Sequence, residues 1–170
     1  MPLKEVADME EYRKKIKKLP DLKRESDALK AQAKRIVFTN GCFDLLHPGH
    51  TRYLYAARQL GDYLVVAVNT DLSVKAIKGA DRPIQSQDER AELVAALSFV
   101  DAVVLFDEDN PLTLIQQLVP DVLVKGGDWT EDRIIGADVV RKAGGVVKSL
   151  PFVTGYSTTA LIEKIGNRKK

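Results

Sequence analysis

Both histidines of the 170-residue chain lie in one short segment, "TNGCFDLLHPGH", which covers residues 39–50. His47 and His50 are three residues apart, with Pro48 and Gly49 between them, and this spacing at a helix start puts both imidazoles on one side. A helix N-terminus carries free N–H groups and a partial positive charge, so anions bind there. The two rings and the terminus would therefore form a cluster of donors suited to a phosphate whose charge grows in a transition state.

Two other interpretations of this histidine pair stay open at this point. The rings can be ordinary packed or surface histidines, or they can ligate a metal, although H-x-x-H alone is a weak metal pattern without an obvious third ligand. Gly41 favours the phosphate interpretation, because a glycine at a strand end lets backbone N–H groups approach a ligand closely. Cys42 lies in the same turn, and we interpret it as a small packing residue.

Five short apolar runs rich in Val, Ile and Leu predict the strands that must position this segment. The runs are continuous rather than alternating, which is typical of strands buried on both faces. They cover residues 35–39, 63–68, 101–106, 121–125 and 145–150. Amphipathic stretches between and after them predict helices over 50–61, 86–97, 110–118 and 157–165.

Local signals support two of these helix starts. Ser86 and Glu89 have the spacing of a capping box. Asn110 is expected to be an N-cap, with Pro111 at the first helical position. The alternation of strands and helices predicts an α/β fold, a Rossmann-like open parallel sheet of about five strands with helices on both faces, plus an N-terminal helical extension.

Charge is distributed unevenly along the chain, whose formal net charge is +2. Residues 1–34 carry 10 basic and 7 acidic side chains, and residues 168–170 are all basic, whereas residues 35–167 carry 13 basic and 17 acidic ones. We therefore divide the chain into a charged helical extension (1–34), one domain (35–167) and a basic tail (168–170). A nucleic-acid binder more often carries a basic face on its folded body, so we expect no nucleic-acid partner, and RNA binding through the ends is the weaker alternative.

Composition indicates where the protein is located and whether it can form a disulfide. The chain has no apolar run of the roughly 20 residues that would cross a bilayer, and its N-terminus lacks the apolar core of a secretory signal. Cys42 is the single cysteine, which excludes an intrachain disulfide. We expect a cytoplasmic protein without membrane contact.

Polar and glycine-rich residues follow most of the predicted strands. In open parallel sheets, ligands bind beyond the carboxyl ends of the strands. After the histidine segment, the stretches at such ends are "NTD", "DEDNP", "KGGDW" and "PFVTGYSTT". This pattern is what a phosphate-rich ligand would need.

The histidine segment also resembles a known family signature. "GCFDLLHPGH" resembles the H-x-G-H motif of the nucleotidylyltransferase superfamily, and "GYSTT" at 155–159 resembles its second signature. Residues 35–165 are similar to one branch, the D-glycero-β-D-manno-heptose 1-phosphate adenylyltransferases, to which "DRPI" and "DVLVKGGDW" point most directly. In many bacteria this domain is fused to a sugar kinase; no kinase is present here, so the chain resembles the stand-alone form. Tyr156 departs from the family, which often has Ile or a small residue there.

The resemblance implies transfer of AMP from ATP to heptose 1-phosphate, giving ADP-heptose and pyrophosphate for the lipopolysaccharide inner core. It implies ATP and a sugar 1-phosphate as partners, Mg²⁺ with the ATP as cofactor, and a homo-oligomer, expected to be a dimer. A sugar phosphate is already an anionic nucleophile, so catalysis needs positioning and charge stabilisation rather than a general base.

Three residues are expected to act directly on the phosphates. His47 and His50 would hold the α- and β-phosphate oxygens, and the resemblance implies that Lys78 reaches the triphosphate from a flexible loop after the second strand. A solvated loop lysine is the alternative for Lys78, and Lys75 is the competing cation.

A larger set is expected to contact the nucleotide or the sugar phosphate. Asp44 can orient a histidine, help to hold a magnesium-bound triphosphate or cap the turn. Arg82 can face phosphates or be structural, and Asp71 can cap a helix. Trp129 can line the pocket or belong to the core. The full set is Thr39, Asn40, Gly41, Cys42, Phe43, Asp44, Gly49, Asn69, Asp71, Arg82, Lys125, Gly126, Gly127, Asp128, Ser157, Thr158 and Thr159.

Two other functions remain open from the sequence. A cytidylyltransferase that acts on glycerol 3-phosphate or a similar small phosphate would use the same fold and motif with a different base. A nucleotide-binding module without catalysis belongs to another class; the complete set of motif histidines, Lys78 and the S-T-T run argues against it, because a sensor needs no transition-state donors.

Overall fold

The computed structural model describes residues 11–127, 129–151 and 155–167, and these residues form one parallel sheet with helices on both faces. The strand order is β3-β2-β1-β4-β5, and every pairing is parallel. The predicted α/β class and the five-stranded parallel sheet are therefore confirmed. The strands are β1 (Ile36–Gly41), β2 (Tyr63–Asn69), β3 (Ala102–Phe106), β4 (Val122–Gly126) and β5 (Val146–Leu150).

One or more helices connect each pair of successive strands along the chain. Short 3₁₀ turns at Glu11–Lys15 and Glu131–Arg133 complete the described elements. The α-helices are α1 (Leu19–Ala31), α2 (Pro48–Arg58), α3 (Asp71–Lys78), α4 (Gln87–Ala95), α5 (Leu112–Leu118), α6 (Ala137–Lys142) and α7 (Thr158–Gly166). Among the described residues, no helix is long and apolar enough to cross a membrane.

Two apolar layers cover the two faces of the sheet. Along β1 and β2 neighbouring side chains point to opposite layers, so a continuous apolar run is buried throughout. One layer packs α2 and α4 against the sheet, and the other packs α1, α5 and α6. Burial on both faces explains why the sequences of these strands are continuous apolar runs.

The N-terminal segment is packed into this core. Ile16 forms a parallel bridge with Val103 at the edge of the sheet, and the Lys17 N–H donates to the Val103 carbonyl at 2.8 Å. Pro20 stands in the first turn of α1, which then crosses one face of the sheet with Leu22 fully buried. Ile16 thus packs in one apolar layer of the sheet and α1 in the other. Residues 168–170, the predicted basic tail, lie outside the described residues.

Of the two predicted helix starts, one is confirmed and one needs adjustment. The capping box at Ser86 and Glu89 is present, with both reciprocal hydrogen bonds. The start of α5 was predicted one residue too early, because Pro111 is the N-cap residue rather than the first helical one. Asn110 still contributes, since its side-chain oxygen accepts from the Leu112 N–H at 3.1 Å.

The sheet order decides where a ligand can bind. From β1 the chain first adds β2 and β3 on one side, and later adds β4 and β5 on the other. The connections diverge above β1, which leaves a crevice at the carboxyl ends of β1 and β4, the usual ligand position in such folds. The histidine segment follows β1 directly, so it lies at this crevice.

Candidate active site

The two histidines meet face to face at the start of α2. His47 is the N-cap residue and has an extended backbone, and the His50 N–H donates to the His47 carbonyl at 2.9 Å. Their rings stack with centroids 3.8 Å apart and an angle of 17° between the planes. Phe43 packs edge-on against His50 with centroids 5.6 Å apart. The i, i+3 spacing thus produces the shared orientation that the sequence predicted.

Gly49 is required by the position of the His47 ring. A Cβ at residue 49 would lie 2.9 Å from Cε1 of His47 and 3.0 Å from the Cβ of Tyr156. A side chain at residue 49 would therefore force the His47 ring to shift and would crowd Tyr156. The glycine of the motif therefore lets His47 fold back over the first turn of α2, between that turn and Tyr156.

Burial keeps both imidazoles neutral near pH 7. Desolvation lowers the pKa of His47, and desolvation together with the neighbouring His47 lowers the pKa of His50 to about 4, against the opposing effect of Asp44. Nδ1 of each ring is buried and has no hydrogen-bond partner among the described residues. Two buried, unpaired ring nitrogens at a helix N-terminus are an arrangement that a polar ligand would complete.

The lowered pKa of His50 predicts a pH dependence of stability. Between its ordinary value of 6.5 and about 4, His50 is protonated in the unfolded chain but neutral in the folded one. The unfolded state then binds more protons, so the free energy of unfolding should fall as the pH drops through this range. Denaturant unfolding near pH 7 and near pH 5 should show a larger loss in wild type than in His50→Gln. Equal losses in the two proteins would contradict this assignment.

Asp44 anchors a second loop to the histidine turn, which we define as residues 42–47. Its carboxylate accepts from Nε of Arg82 at 2.7 Å and from the N–H groups of Ile84 and Gln85 at 2.9 and 3.1 Å. Burial alone would raise the pKa of Asp44, but these donors outweigh it and hold the pKa below its ordinary value. Asp44 therefore has a role that the sequence did not suggest: it anchors residues 82–85, which we call the anchor loop.

A cavity of about 760 Å³ opens beside the histidines at the carboxyl edge of the sheet. It is large enough for a nucleotide together with a second small ligand. Sixteen of the expected site residues line it, namely Asn40, Gly41, Cys42, Phe43, Asp44, His47, Gly49, His50, Asn69, Lys78, Arg82, Lys125, Gly126, Ser157, Thr158 and Thr159.

Positive charge converges on this cavity from α3, β4 and the anchor loop, which contribute Lys78, Lys125 and Arg82. Lys78 is the last residue of α3 rather than part of a flexible loop, so that expectation was wrong, and Gly79 ends the helix behind it with φ of 99°. Lys78 lines the cavity and the competing Lys75 does not. Lys125, at the end of β4, donates to the Asn40 side chain at 3.2 Å, and burial lowers its pKa.

Three expected contact residues lie away from the cavity lining. Thr39 is fully buried, and its hydroxyl is bonded to the Tyr53 hydroxyl. Asp71 pairs with Arg90 at 2.8 Å, and the Gly127 N–H donates to the Leu150 carbonyl. Because none of these three residues lines the cavity, we expect them to support the site rather than to contact a ligand. Asp128 lies outside the described residues.

Two of the three hydroxyl groups at the start of α7 already form hydrogen bonds within the protein, which the sequence did not indicate. Ser157 is the N-cap, and its side chain accepts from the Ala160 N–H at 3.0 Å. Thr158 donates from its hydroxyl to the Asp44 carbonyl at 2.7 Å. Thr159 faces the cavity in the first turn of α7. Two of the three hydroxyls thus have structural partners, which leaves Thr159 and the first-turn N–H groups for an anion.

Several lining residues escaped the sequence reasoning. Tyr53 is one turn after His50 on α2, and no motif marked it. Asp109, Asn110 and Pro111 lie in the "DEDNP" stretch that the sequence places after a strand, but they were not among the expected contact residues. Trp129 lines the cavity, and half of its surface is exposed. Of the two positions considered for it, the pocket wall is therefore correct and the core is not.

Tyr156 is also part of this site. Its ring lies nearly parallel to that of His47, with centroids 6.3 Å apart, and the Arg52 guanidinium lies 5.3 Å above it. The residue that departs from the family pattern therefore forms one wall beside the histidine pair.

Comparisons with known proteins assign the chain to a family. Residues 38–164 match the cytidylyltransferase-like family model. The bifunctional protein HldE of Geotalea uraniireducens is 56% identical over 151 residues, which are 89% of this chain and 31% of that protein. The HldE of Syntrophotalea carbinolica is 50% identical over 158 residues, 93% of this chain and 32% of that protein. The chain thus spans about a third of the length of these relatives.

A solved structure gives the same fold assignment. The lipopolysaccharide core biosynthesis protein of Thermoplasma volcanium superimposes with a TM-score of 0.57 and 31% identity. The match covers 73% of this chain and 99% of the other one. The family model, over residues 38–164, includes the histidine turn and the four strands that follow it.

Proposed function

The chain belongs to the cytidylyltransferase-like family, and on that premise we propose that it transfers AMP from ATP to D-glycero-β-D-manno-heptose 1-phosphate, releasing pyrophosphate. The observation that carries the proposal is the stacked pair His47 and His50, each with an unpaired, buried Nδ1, beside a cavity lined by Lys78 and Lys125. The heptose branch rests on the "DRPI" and "DVLVKGGDW" stretches and on the HldE relatives.

In the proposed reaction an oxygen of the sugar phosphate attacks the α-phosphorus of ATP in line. The new O–P bond forms as the bond between the α-phosphorus and the bridging oxygen breaks, and pyrophosphate leaves with that oxygen. No proton has to be removed from the nucleophile. The work of the protein is to hold the reacting groups in line and to stabilise charge.

The low pKa values define what the histidines contribute. His47 and His50 act as neutral imidazoles, so each offers one N–H to a phosphate oxygen rather than a full charge. Such a donor gains most as negative charge develops on that oxygen. Lys78 supplies the full positive charge, while Thr159 and the first turn of α7 receive the outgoing pyrophosphate.

Magnesium fits this site as a companion of the triphosphate. Among the described residues, no group of three or more His, Cys, Asp or Glu side chains could hold a metal ion. The described carboxylates that line the cavity belong to Asp44 and Asp109, and Asp44 is engaged by the anchor loop. Mg²⁺ keeps several waters and binds phosphate oxygens with few protein ligands, so ATP would carry the ion and Asp109 would be the carboxylate in reach of it. The ion would neutralise charge on the triphosphate.

Assembly and location belong to the same proposal. We propose a homodimer that works in the cytoplasm, where ATP and sugar phosphates are available. Light scattering on the purified protein tests the dimer, because a dimer has twice the chain mass of 18.9 kDa.

The family model's own description favours a second candidate, in which CTP and a small acceptor such as glycerol 3-phosphate replace ATP and the heptose. Pyrophosphate release with magnesium, measured for ATP and CTP each paired with heptose 1-phosphate and glycerol 3-phosphate, separates the two. We expect release with ATP plus the heptose. Release with CTP plus glycerol 3-phosphate would replace the proposal by the second candidate. Nucleotide binding without release for any pair would indicate the non-catalytic module.

A further inference from the structure

The histidine turn has a backbone conformation that needs external support. Phe43 and Leu45 have φ angles of 50° and 53°, in the left-handed region that side chains other than glycine seldom occupy. Such residues persist only where surrounding contacts hold them, and they cluster at functional sites. Since His47 follows directly, the contacts that hold this turn also place the imidazole pair.

Much of that support comes from the segment between α3 and α4. The anchor loop binds the Asp44 carboxylate through Arg82, Ile84 and Gln85, and the Gln85 side chain accepts from the Leu45 N–H at 3.2 Å. These bonds fix the middle of the turn. They leave open what fixes its start, at Cys42, and what fixes the anchor loop itself.

Arg90, on α4, fixes both the start of the histidine turn and the anchor loop. Its guanidinium donates from Nη1 to the Cys42 carbonyl at 2.6 Å, from Nε to the Gln85 carbonyl at 3.0 Å, and from Nη2 to the Asp71 carboxylate at 2.8 Å. The three acceptors belong to the histidine turn, the anchor loop and α3. One rigid fork therefore joins the three segments that carry the histidines, Arg82 and Lys78.

The complete burial of Arg90 indicates that a contribution to stability does not by itself explain why an arginine lies at this position. The side chain is 0% exposed, whereas its partner Asp71 keeps 36% of its side-chain surface in water. Taking a cation out of water costs free energy that an ion pair of this kind returns only in part, so a buried pair is weak evidence for stabilisation. Arg90 is not among the residues that line the cavity, so it has no direct access to a ligand there.

We propose that Arg90 is a positioning residue for the transfer reaction: by joining the turn, the anchor loop and α3, it sets where His47 and His50 meet the α-phosphate. The inference rests on the proposed function for its kinetic consequence. Its structural consequence is independent of activity, because loss of Arg90 should release the turn and let water reach the imidazoles.

The test compares Arg90→Met with wild type and with Arg58→Met. Arg58 is a matched control, since it also pairs with an aspartate, Asp101 at 2.9 Å, and donates to a backbone carbonyl, that of Gly61, but at the opposite edge of the sheet. The first readout is steady-state kinetics. We expect kcat to fall about 10- to 100-fold in Arg90→Met with the KM for ATP changed less than about threefold, and little change in Arg58→Met.

The second readout is NMR titration of the imidazole signals. The chain has two histidines, so the spectrum contains two sets of ring signals. The titratable groups that act on His50 are His47 and Asp44. In Arg90→Met the His50 midpoint should rise from about 4 towards 6.5, by about one pH unit or more, because the ring becomes hydrated. In Arg58→Met it should stay at the wild-type value.

Unchanged kcat and an unchanged His50 midpoint in Arg90→Met would overturn the proposal and leave Arg90 a structural residue. If Arg90→Met does not fold, Arg90→Lys takes its place, since a single ammonium keeps the charge but cannot reach three separated acceptors. If wild type transfers no nucleotide, the proposed function fails, and the titration midpoints alone then decide whether Arg90 holds the turn.

Discussion

His50→Ala is expected to lower kcat by about 10²- to 10³-fold while ATP binds with a dissociation constant within about threefold of wild type. The neutral His50 ring offers a single N–H, which is a weak donor to a ground-state phosphate but gains strength as charge develops on the oxygen. Truncation therefore removes an interaction made mainly in the transition state, worth about 3–4 kcal/mol. Pyrophosphate release gives kcat, and calorimetric titration with ATP gives the dissociation constant.

Gln59→Ala is the control for this experiment. Gln59 is an exposed residue just past the last turn of α2, so its truncation changes the same helix at the end away from the cavity. Wild-type kinetics are expected for it. An equal loss of kcat and of ATP affinity in His50→Ala would reject a transition-state role and assign His50 to uniform substrate binding.

Leu22→Ala is expected to reduce the free energy of unfolding by about 2–5 kcal/mol. Leu22 has no exposed surface, and it packs in the same apolar layer as Ile36, Phe38 and Val65. Removal of the isobutyl group loses its transfer free energy and leaves a cavity against strands that cannot move to fill it. Urea unfolding monitored by circular dichroism measures the change, provided that the dependence on urea concentration stays the same.

Leu72→Ala makes the same chemical change on the surface. Leu72, at the start of α3, is 68% exposed, so its truncation should change stability by no more than about 0.5 kcal/mol. Similar effects of the two substitutions would mean that α1 does not share the core of the sheet in solution. A large difference would show that residues near the N-terminus are needed for the fold, even though the H-x-G-H chemistry lies elsewhere.

The strands and the histidine motif could be predicted from the sequence because both are local signals. A strand buried on two faces must be apolar at nearly every position, so the runs at β1 and β2 are visible in the letters alone. The i, i+3 spacing of His47 and His50 likewise fixes their relative direction once a helix starts between them. The capping box of α4 depends only on Ser86 and Glu89, which are three residues apart.

The roles of Asp44 and Thr158 could not be predicted from the local sequence. Asp44 was compatible with a histidine partner, a magnesium-bound triphosphate or a turn cap until the structure brought Arg82, 38 residues away, to its carboxylate. Thr158 looked like a phosphate ligand, yet its hydroxyl reaches the Asp44 carbonyl across 114 residues. Polar side chains of this kind have several possible partners, and only the packed chain selects one.

Sequence patterns were sufficient for the class of fold and for the position of the histidine turn at the carboxyl edge of the sheet, and they predict a phosphate-rich ligand there. These follow from patterns within a few residues, where backbone geometry leaves few alternatives. The packing of α1 in the core and the contacts of Arg90 with the turn, the anchor loop and α3 became visible only in the folded chain. Those contacts join residues that are close only after the sheet has formed, and burial, which turns an ordinary arginine into a fixed three-way donor, is a property of the folded chain alone.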